Sequence, residues 1–142
     1  MTMTLDRRAE LLAAAPLLAG VEADGLTYVA ERAVEVEFAP GTVIARQGDV
    51  GTGLFIIADG SVRVVRDGDA IATLGPGEFF GELSVLDGQP RSAQVVADAP
   101  TVCLALASWD FEAIVRERPD VSLAIMRGLA RRLRGLTEAH RH

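Results

Sequence analysis

The sequence predicts a mainly β fold with flanking α-helices, an eight-stranded β-roll of the double-stranded β-helix or jelly-roll-like type. Ten of the 14 glycines lie between Gly41 and Gly88, where they separate short runs rich in β-branched residues. Many short strands joined by tight turns are typical of barrels and sandwiches. Helical periodicity is confined to the two ends of the chain. With 142 residues, the chain is expected to form one domain over residues 1–142.

Residues 1–33 have apolar side chains at helical spacing, with breaks at Pro16 and Gly20, which predicts short amphipathic helices. Residues 34–107 are assigned to the roll. The dipeptides Asp59-Gly60 and Asp67-Gly68 each predict a β-hairpin, because the primed turns of hairpins need positive φ angles. The β-branched runs predict strands at 34–38, 42–45, 53–58, 61–66, 70–74, 92–97 and 101–106.

Residues 108–142 return to helical periodicity. One helix is predicted over 109–116 with Ser108 as its N-cap, and a second from residue 120 to about residue 139. Gly128 in the second helix marks a hinge, a close crossing or a merely tolerated glycine. The same helix has an apolar stripe that is longer than the roll needs as a cover, so its distal part is expected to pack on a second copy or a partner. The stripe consists of Val121, Ile125, Leu129, Leu133 and Leu136.

Composition argues against several classes of protein. The 14 basic residues are all arginine and face 20 acidic residues, so the net charge of −6 disfavours a surface that coats nucleic acid. Residues 115–142 carry 7 arginines against 3 acids, which indicates a basic helix or, alternatively, a partner or polyphosphate site. His140 and His142 are the only histidines, which disfavours a histidine-based metal centre or a Ser/His/Asp triad. The single cysteine, Cys103, lies in an apolar run and is predicted to be a buried small hydrophobe.

The segment 75–93 interrupts the strand pattern and carries the candidate site. Residues 82–86 are interpreted as one helical turn opened by Gly81, and a helix N-terminus offers unpaired backbone N–H groups to an anion. Arg91 adds a guanidinium that can donate two hydrogen bonds to one phosphate. Glu82 would repel a phosphate, but its carboxylate would accept a hydrogen bond from a hydroxyl of the same ligand. These residues favour a ligand that holds a phosphate and a sugar hydroxyl close together.

The same segment resembles the phosphate-binding cassette of the cyclic nucleotide-binding domain family, which includes catabolite activator proteins, regulatory subunits of protein kinase A and cyclic-nucleotide-gated channels. The step of nine residues from Glu82 to Arg91 is close to the family pattern. The resemblance covers nearly the whole chain. The matching motifs are Gly81-Glu82-Leu83-Ser84, Pro90-Arg91-Ser92-Ala93, Pro40-Gly41, Gly48-Asp49, residues 54–62 and Trp109-Asp110-Phe111.

The resemblance implies that Glu82 binds the ribose 2′-hydroxyl and that Arg91 binds the exocyclic phosphate oxygens. Ser92 occupies a position from which family members contact phosphate or base, and its hydroxyl is compatible with cAMP or cGMP. The implied protein is a non-enzymatic sensor without a metal or other cofactor, in which ligand occupancy moves the C-terminal helices. The ligand-binding residues that the resemblance implies are Gly81, Glu82, Leu83, Ser84, Arg91, Ser92 and Ala93, within a cassette of residues 81–93.

Three other functions are weighed against this one. A ligand-free interaction scaffold would use the same roll. A cupin-like enzyme would too, but cupins need barrel histidines as metal ligands and this roll has none. A transcription factor is disfavoured by the net acidity and because the sequence stops at His142, where such relatives continue into a helix-turn-helix. The expected partners are a cyclic nucleotide and either a second copy, through the C-terminal helix, or an effector protein, with no DNA.

The remaining sequence features are assigned to structure. Glu35 and Glu37 alternate on one strand, which is typical of a solvated face. Phe79 and Phe80 are expected in the core, and residues 51–53 form a turn without the lysine of a P-loop. No run of 18 apolar residues occurs and the chain start lacks the pattern of a signal peptide, so a cytoplasmic protein without a membrane partner is expected.

Overall fold

The computed structural model describes residues 3–49, 53–81 and 90–139, and of residues 136–139 it describes only the backbone. The order of elements confirms the predicted succession of helices, roll and helices. Along the chain they are α1 (Leu5–Ala14), a 3₁₀ turn (Pro16–Leu18), α2 (Ala23–Arg32), β1 (Val34–Phe38), β2 (Val43–Ala45), β3 (Gly53–Asp59), β4 (Val62–Arg66), β5 (Asp69–Leu74), β6 (Phe79–Phe80), β7 (Gln94–Ala97), β8 (Thr101–Ala107), α3 (Ser108–Glu117) and α4 (Pro119–Ala139).

The strands form two four-stranded antiparallel sheets, in the orders β1-β8-β3-β6 and β2-β7-β4-β5. This arrangement confirms the eight-stranded roll. The strand that the sequence did not locate is β6, which is two residues long and lies in the segment where the strand pattern is interrupted. It pairs with the middle of β3, where Phe55 faces Phe80 and Ile56 faces Phe79.

Strand β3 has buried residues on both of its faces. Leu54 and Ile56 pack in the core between the first sheet and the helices. Ile57 packs inside the roll, where Phe55 lies against the same cluster. Because successive side chains of a strand point to opposite faces, this one strand supplies both hydrophobic cores.

Aromatic rings fill the interior of the roll. The rings of Phe55 and Phe80 are stacked, with centroids 5.1 Å apart, and Phe38 meets Phe55 edge to face at 6.2 Å. Both geometries are favourable for aromatic pairs. Phe79 and Phe80 are buried, with exposed fractions of 7% and 4%, which confirms that they belong to the core.

The helices pack on the outer face of the first sheet. Thr4 caps α1, since its side chain accepts the backbone N–H of Arg7 at 3.1 Å. Helix α3 begins at Ser108 itself, so the predicted N-cap is wrong. Ala107 occupies the cap position and makes no side-chain hydrogen bond there. Strand β8 continues to Ala107, so the helix follows the strand directly and Ser108 is its first residue.

A charged cluster joins α2 to the start of α4. Arg118 donates hydrogen bonds to both carboxylate oxygens of Asp120, at 3.1 and 2.9 Å, and to Asp24 at 3.3 Å. The hydrogen bond from Arg118 lowers the pKa of Asp120 below its ordinary value. The Tyr28 ring lies under the guanidinium of Arg32, 3.5 Å away, and its hydroxyl donates to Glu117. The junction of α3 and α4 is therefore fastened to α2.

Helix α4 crosses the 3₁₀ turn closely at Gly128. A Cβ atom at this position would lie 2.6 Å from Leu17 Cδ1, so any larger residue would force the Leu17 side chain to shift. The structure thus selects the close crossing among the alternatives for Gly128. The apolar stripe is divided: Val121 and Ile125 are buried in the core of the chain itself, whereas Leu133 is 65% exposed.

The two Asp-Gly dipeptides have different outcomes. Asp67-Gly68 forms the predicted two-residue hairpin between β4 and β5, and both residues have positive φ angles, of 52° and 86°. Asp59-Gly60 does not form a hairpin, because β3 and β4 belong to different sheets. Gly60, with φ of 94°, instead carries the chain from one sheet to the other past the backbone of Pro100.

We predict that Gly60→Ala lowers the free energy of unfolding by about 3 kcal/mol or more, through a left-handed backbone and overpacking. A Cβ there would lie 2.4 Å from the Pro100 carbonyl oxygen. Gly68→Ala is the control, because its φ is similar and its Cβ would meet nothing within 4 Å, so the expected loss is about 1 kcal/mol. Urea denaturation measures both. Equal losses for the two variants would contradict the crossing described here.

Candidate anion-binding site

Gly81 and Arg91 lie at one end of the roll, which we call the arginine end. Strand β2 ends there at Ala45, β3 starts at Gly53, β6 ends at Phe80 and β8 ends at Ala107. Arg91 follows in the segment that leads into β7, so the chain returns to this end after the cassette. The antiparallel order of the sheets thus places distant parts of the sequence side by side.

Arg91 is fixed by its backbone and by its side chain. Its N–H donates to the Asp49 carbonyl oxygen at 2.7 Å, and its own carbonyl oxygen accepts the N–H of Gly48 at 2.8 Å. Its guanidinium donates from NH2 to the carbonyl oxygen of Gly53 at 3.2 Å. The half-buried side chain is therefore oriented along the rim of the roll by the start of β3.

Gly81 lies directly against this guanidinium. Its φ is 93°, a left-handed conformation that favours glycine. A Cβ atom would lie 2.5 Å from the Gly53 carbonyl oxygen and 2.9 Å from Arg91 NH1. The structure thus brings together two of the residues predicted for the site, ten positions apart in sequence, and only glycine fits between them.

The other predicted residues divide into two groups. Glu82, Leu83 and Ser84, and the helical turn predicted over 82–86, lie outside the described residues. Ser92 is exposed, and its carbonyl oxygen accepts a hydrogen bond from Nε of Arg66 at 3.3 Å. Ala93 is half-buried and precedes β7.

A cavity of about 680 Å³ opens beside Arg91. Its volume falls in the range of small-molecule sites. Most of its wall is apolar and comes from β1, β2, β3 and β8, while five residues add charged groups: Arg32, Arg46, Asp49, Arg91 and Asp110. A hydrophobic cavity with a fixed cation at its wall suits a ligand that is an anion at one end and apolar at the other. The apolar wall is formed by Val34, Val36, Phe38, Val43, Ile44, Ala45, Phe55, Ala105, Leu106 and Trp109.

The other candidates have structural roles. The carboxylate of Glu35 accepts the backbone N–H of Met3, and Glu37 is exposed, so they do not form a paired-carboxylate site. Cys103 is fully buried, and burial raises the pKa of its thiol to about 12. This confirms its prediction as a buried small hydrophobe, because a thiol with so high a pKa is not a nucleophile near neutral pH.

The sequence did not indicate the contact between α4 and the strand that leads into the cassette. Arg132 donates from NH2 to the Phe79 carbonyl oxygen at 2.7 Å, and its guanidinium lies 3.7 Å from the centre of the Phe79 ring. Arg131 donates to the carbonyl oxygen of Pro16 at 2.9 Å. A basic helix face was apparent in sequence, but its neutral partners on the backbone were not.

Comparison with known proteins gives one family. The family model described as the cyclic nucleotide-binding domain matches residues 35–118. The cyclic AMP receptor protein of Thermus thermophilus is 43% identical over 102 residues, which cover 68% of this chain and 47% of that protein. Among the described parts of the chain, no helix is both long and apolar enough to cross a membrane.

Solved structures give the same fold. The catabolite activator protein of Thermus thermophilus superposes with a TM-score of 0.80 at 37% identity, over 88% of this chain and 61% of that one. The regulatory subunit of a cAMP-independent protein kinase A from Trypanosoma brucei gives 0.76 at 30% identity, over 87% and 46%. This chain therefore spans less than two thirds of each of these three proteins.

Proposed function

This chain belongs to the cyclic nucleotide-binding domain family, and we propose that it is a non-enzymatic sensor that binds cAMP or cGMP at the arginine end of its roll. The observation that carries this proposal is the apposition of Gly81, Arg91 and Gly53. The missing side chain of Gly81 makes room for the guanidinium, which the carbonyl of Gly53 holds in place. The 680 Å³ cavity next to Arg91 offers room for the rest of a nucleotide.

Arg91 is the residue proposed to bind the cyclic phosphate. A guanidinium donates two parallel hydrogen bonds to phosphate oxygens, and the restraints on its backbone and side chain reduce the conformational entropy lost on binding. Glu82 is proposed to accept the ribose 2′-hydroxyl, and Ser92 to contact phosphate or base. The backbone N–H groups of Leu83, Ser84 and Ala93 complete the proposed site around Gly81.

A ligand-free scaffold is the second candidate function. The relative from Trypanosoma brucei, described as a subunit of a cAMP-independent kinase, has the same fold, so the fold does not by itself require cAMP. The two functions make different predictions for the thermal stability of the protein with nucleotide.

We predict that a cyclic nucleotide at about 100 times its Kd stabilises the protein by about 2.7 kcal/mol, which corresponds to a Tm increase of about 5 to 10 °C. Arg91→Lys should weaken binding about thirtyfold or more, because an ammonium keeps the charge but cannot reproduce the bidentate geometry. Differential scanning fluorimetry and calorimetric titration with cAMP and cGMP, compared with 5′-AMP, measure both effects.

Arg46→Lys is the matched control, because Arg46 also lines the cavity but is exposed and lies outside the cassette. It should bind nucleotide within about threefold of the unaltered protein, on the scale of a single exposed contact. No Tm shift with either cyclic nucleotide would overturn the sensor and leave the scaffold. A 2′-deoxy-cAMP that bound as tightly as cAMP would remove the role proposed for Glu82.

We propose that occupancy reaches α4 through Phe79. Phe79 lies two positions before Gly81 in the chain. Its backbone oxygen and its ring both contact Arg132. A ligand that moves the backbone at Gly81 would therefore change the best position of α4. The crossing of Gly128 over Leu17 provides a contact around which the helix can shift. In the proposed division of the domain, residues 34–107 bind the ligand, while residues 1–33 and 108–142 respond to it.

We predict that cAMP changes amide hydrogen exchange in both 79–81 and 129–139, and that Arg132→Gln removes the second change while the first remains. The substitution removes the guanidinium from the Phe79 ring and weakens its bond to the carbonyl. Arg131→Gln is the control, because its bond goes to Pro16 on the 3₁₀ turn, and it should keep both changes. If Arg132→Gln retained the full response of α4, this route would be refuted.

Self-association is proposed to use an exposed stripe of α4 that includes Leu133, which belongs to the distal part of the stripe predicted from sequence. The side chain of Leu136, the last residue of that predicted stripe, lies outside the described residues. Val121 and Ile125 are already buried in the core of the chain, and Leu129 is half-buried against it. The exposed apolar residues alternate at spacings of three and four, which is the pattern of a helix pair. They are Leu123 (44% exposed), Met126 (59%), Ala130 (exposed) and Leu133 (65%).

We predict that the protein forms a dimer and that Met126→Ser with Leu133→Ser makes it monomeric, because the pair contributes most of the exposed apolar surface of the stripe. Arg127→Ser with Arg134→Ser is the matched control on the same exposed helix and should leave the dimer intact. Light scattering after size exclusion measures the mass. A serine variant that remained dimeric would exclude this stripe as the interface.

A further inference from the structure

The tip of the β4–β5 hairpin reaches the arginine end of the roll and contacts the loop after β2. Gln47 donates from Nε2 to Oδ1 of Asp67 at 2.9 Å, and the backbone N–H of Asp67 donates to Oε1 of Gln47 at 3.0 Å. The two hydrogen bonds run in opposite directions between the same pair of residues. Both residues are exposed, so the pair adds little to the hydrophobic core.

The pair belongs to none of the sheet ladders. The hairpin is already closed by the pairing of Arg66 with Asp69 and by the turn at Asp67 and Gly68. Strand β2 pairs with β7 and ends at Ala45, two residues before Gln47. The contact therefore joins two elements that belong to the same sheet but are not neighbours in it, at the point where the roll is open.

The same hairpin tip also contacts the other side of the Arg91 segment. Gln47 directly precedes Gly48 and Asp49, whose backbones hold the N–H and carbonyl of Arg91 at 2.7 and 2.8 Å. On the far side, Nε of Arg66 donates to the carbonyl oxygen of Ser92 at 3.3 Å. The backbone of Arg91 is thus enclosed between two contacts that start at consecutive residues of one hairpin, Arg66 and Asp67.

We propose that Gln47 and Asp67 are positioning residues for Arg91: they hold the hairpin tip against the loop that fixes the Arg91 backbone, and thereby set the guanidinium for the phosphate. The inference rests on the proposed function. A binding group has to be held within about half an ångström of its productive position, and supporting hydrogen bonds do this more precisely than a loop alone. Without the pair, Gly48 and Asp49 keep their backbone hydrogen bonds to Arg91 and the one from the Asp49 N–H to the Arg46 carbonyl oxygen, but lose the support of the hairpin, so we expect the ladder to Arg91 to loosen.

The conformation of Asp67 makes a conservative variant available. Its φ of 52° is the left-handed region, which asparagine adopts readily and alanine does not. Asparagine also keeps an oxygen that accepts from Gln47 and the backbone N–H that donates to it. Asp67→Asn should therefore retain nucleotide affinity within about twofold, since one neutral acceptor replaces a charged one at an exposed site.

The experiment is a double-mutant cycle in the full chain, with cAMP affinity as the readout. Gln47→Ala should weaken binding about fivefold to tenfold, the scale of one or two lost hydrogen bonds. In the Arg91→Lys background the same change should have no further effect, because the group that it positions is gone. Arg63→Gln is the matched control: it removes the ion pair with Asp98 at the other end of β4, and should leave affinity unchanged.

A second measurement does not depend on nucleotide. Gln47→Ala should accelerate hydrogen exchange of the Gly48 and Arg91 amides, while the amides of β8 keep their rates. In the control variant Arg63→Gln, the Gly48 and Arg91 amides should also keep their rates. Two results would overturn the positioning role and leave the sensor intact. One is unchanged hydrogen exchange at the Gly48 and Arg91 amides in Gln47→Ala. The other is a loss of cAMP affinity on Gln47→Ala that is as large in the Arg91→Lys background as in the unaltered protein. An unaltered protein that bound no cyclic nucleotide would overturn the sensor and this inference together.

Discussion

The rest of the structure depends on the burial of strand β3 on both faces. Leu54 and Ile56 enter the core under the helices, and Phe55 and Ile57 enter the interior of the roll. A shift of its pairing by one residue would exchange the two sets, so the register with β8 and β6 is strongly specified. The same register fixes the carbonyl of Gly53 at the start of the strand, where it accepts the guanidinium of Arg91. The geometry of the half-buried pair Gly81 and Arg91 thus depends on a strand that is held by two buried cores.

Several of the arginines that make the C-terminal region basic have partners within the fold. Arg118 bonds to Asp24 and Asp120, Arg131 to the carbonyl of Pro16, and Arg132 to the carbonyl of Phe79. A guanidinium has five donors, so it can fasten a helix to backbone carbonyl oxygens of neighbouring elements. These contacts give a structural role to three of the seven arginines of residues 115–142, in agreement with the basic helix that the sequence favoured over a partner or polyphosphate site. It also means that α4 is attached to the N-terminal helices as well as to the roll.

The sequence predicted local features well and long-range contacts poorly, and the two Asp-Gly dipeptides show why. Both favour a turn, but the pairing of the flanking strands is decided by burial, which at Asp59-Gly60 sends them to different sheets. Residues of the candidate site could be proposed from the sequence, because Gly81 and Arg91 are recognisable by residue type and spacing, and the structure places these two side by side. Their support could not be predicted, since Gln47 and Asp67 are 20 positions apart and the motifs beside them, Gly48-Asp49 and Asp67-Gly68, do not indicate that the two residues are in contact. The short strand β6 was not predicted, because two residues are too few to show the alternation of apolar and polar side chains that marks a strand.

The position of Cys103 has a practical consequence for spectroscopy. It is the only cysteine of the chain, it is fully buried in the centre of the first sheet, and its thiol pKa is about 12. Thiol-specific reagents attack the thiolate, so the folded protein presents almost no reactive sulfur at neutral pH. A cysteine introduced on the outer face of α4 and another on the hairpin tip would accept dyes or spin labels without removal of the native one. The protein is in effect already a cysteine-free background for distance measurements.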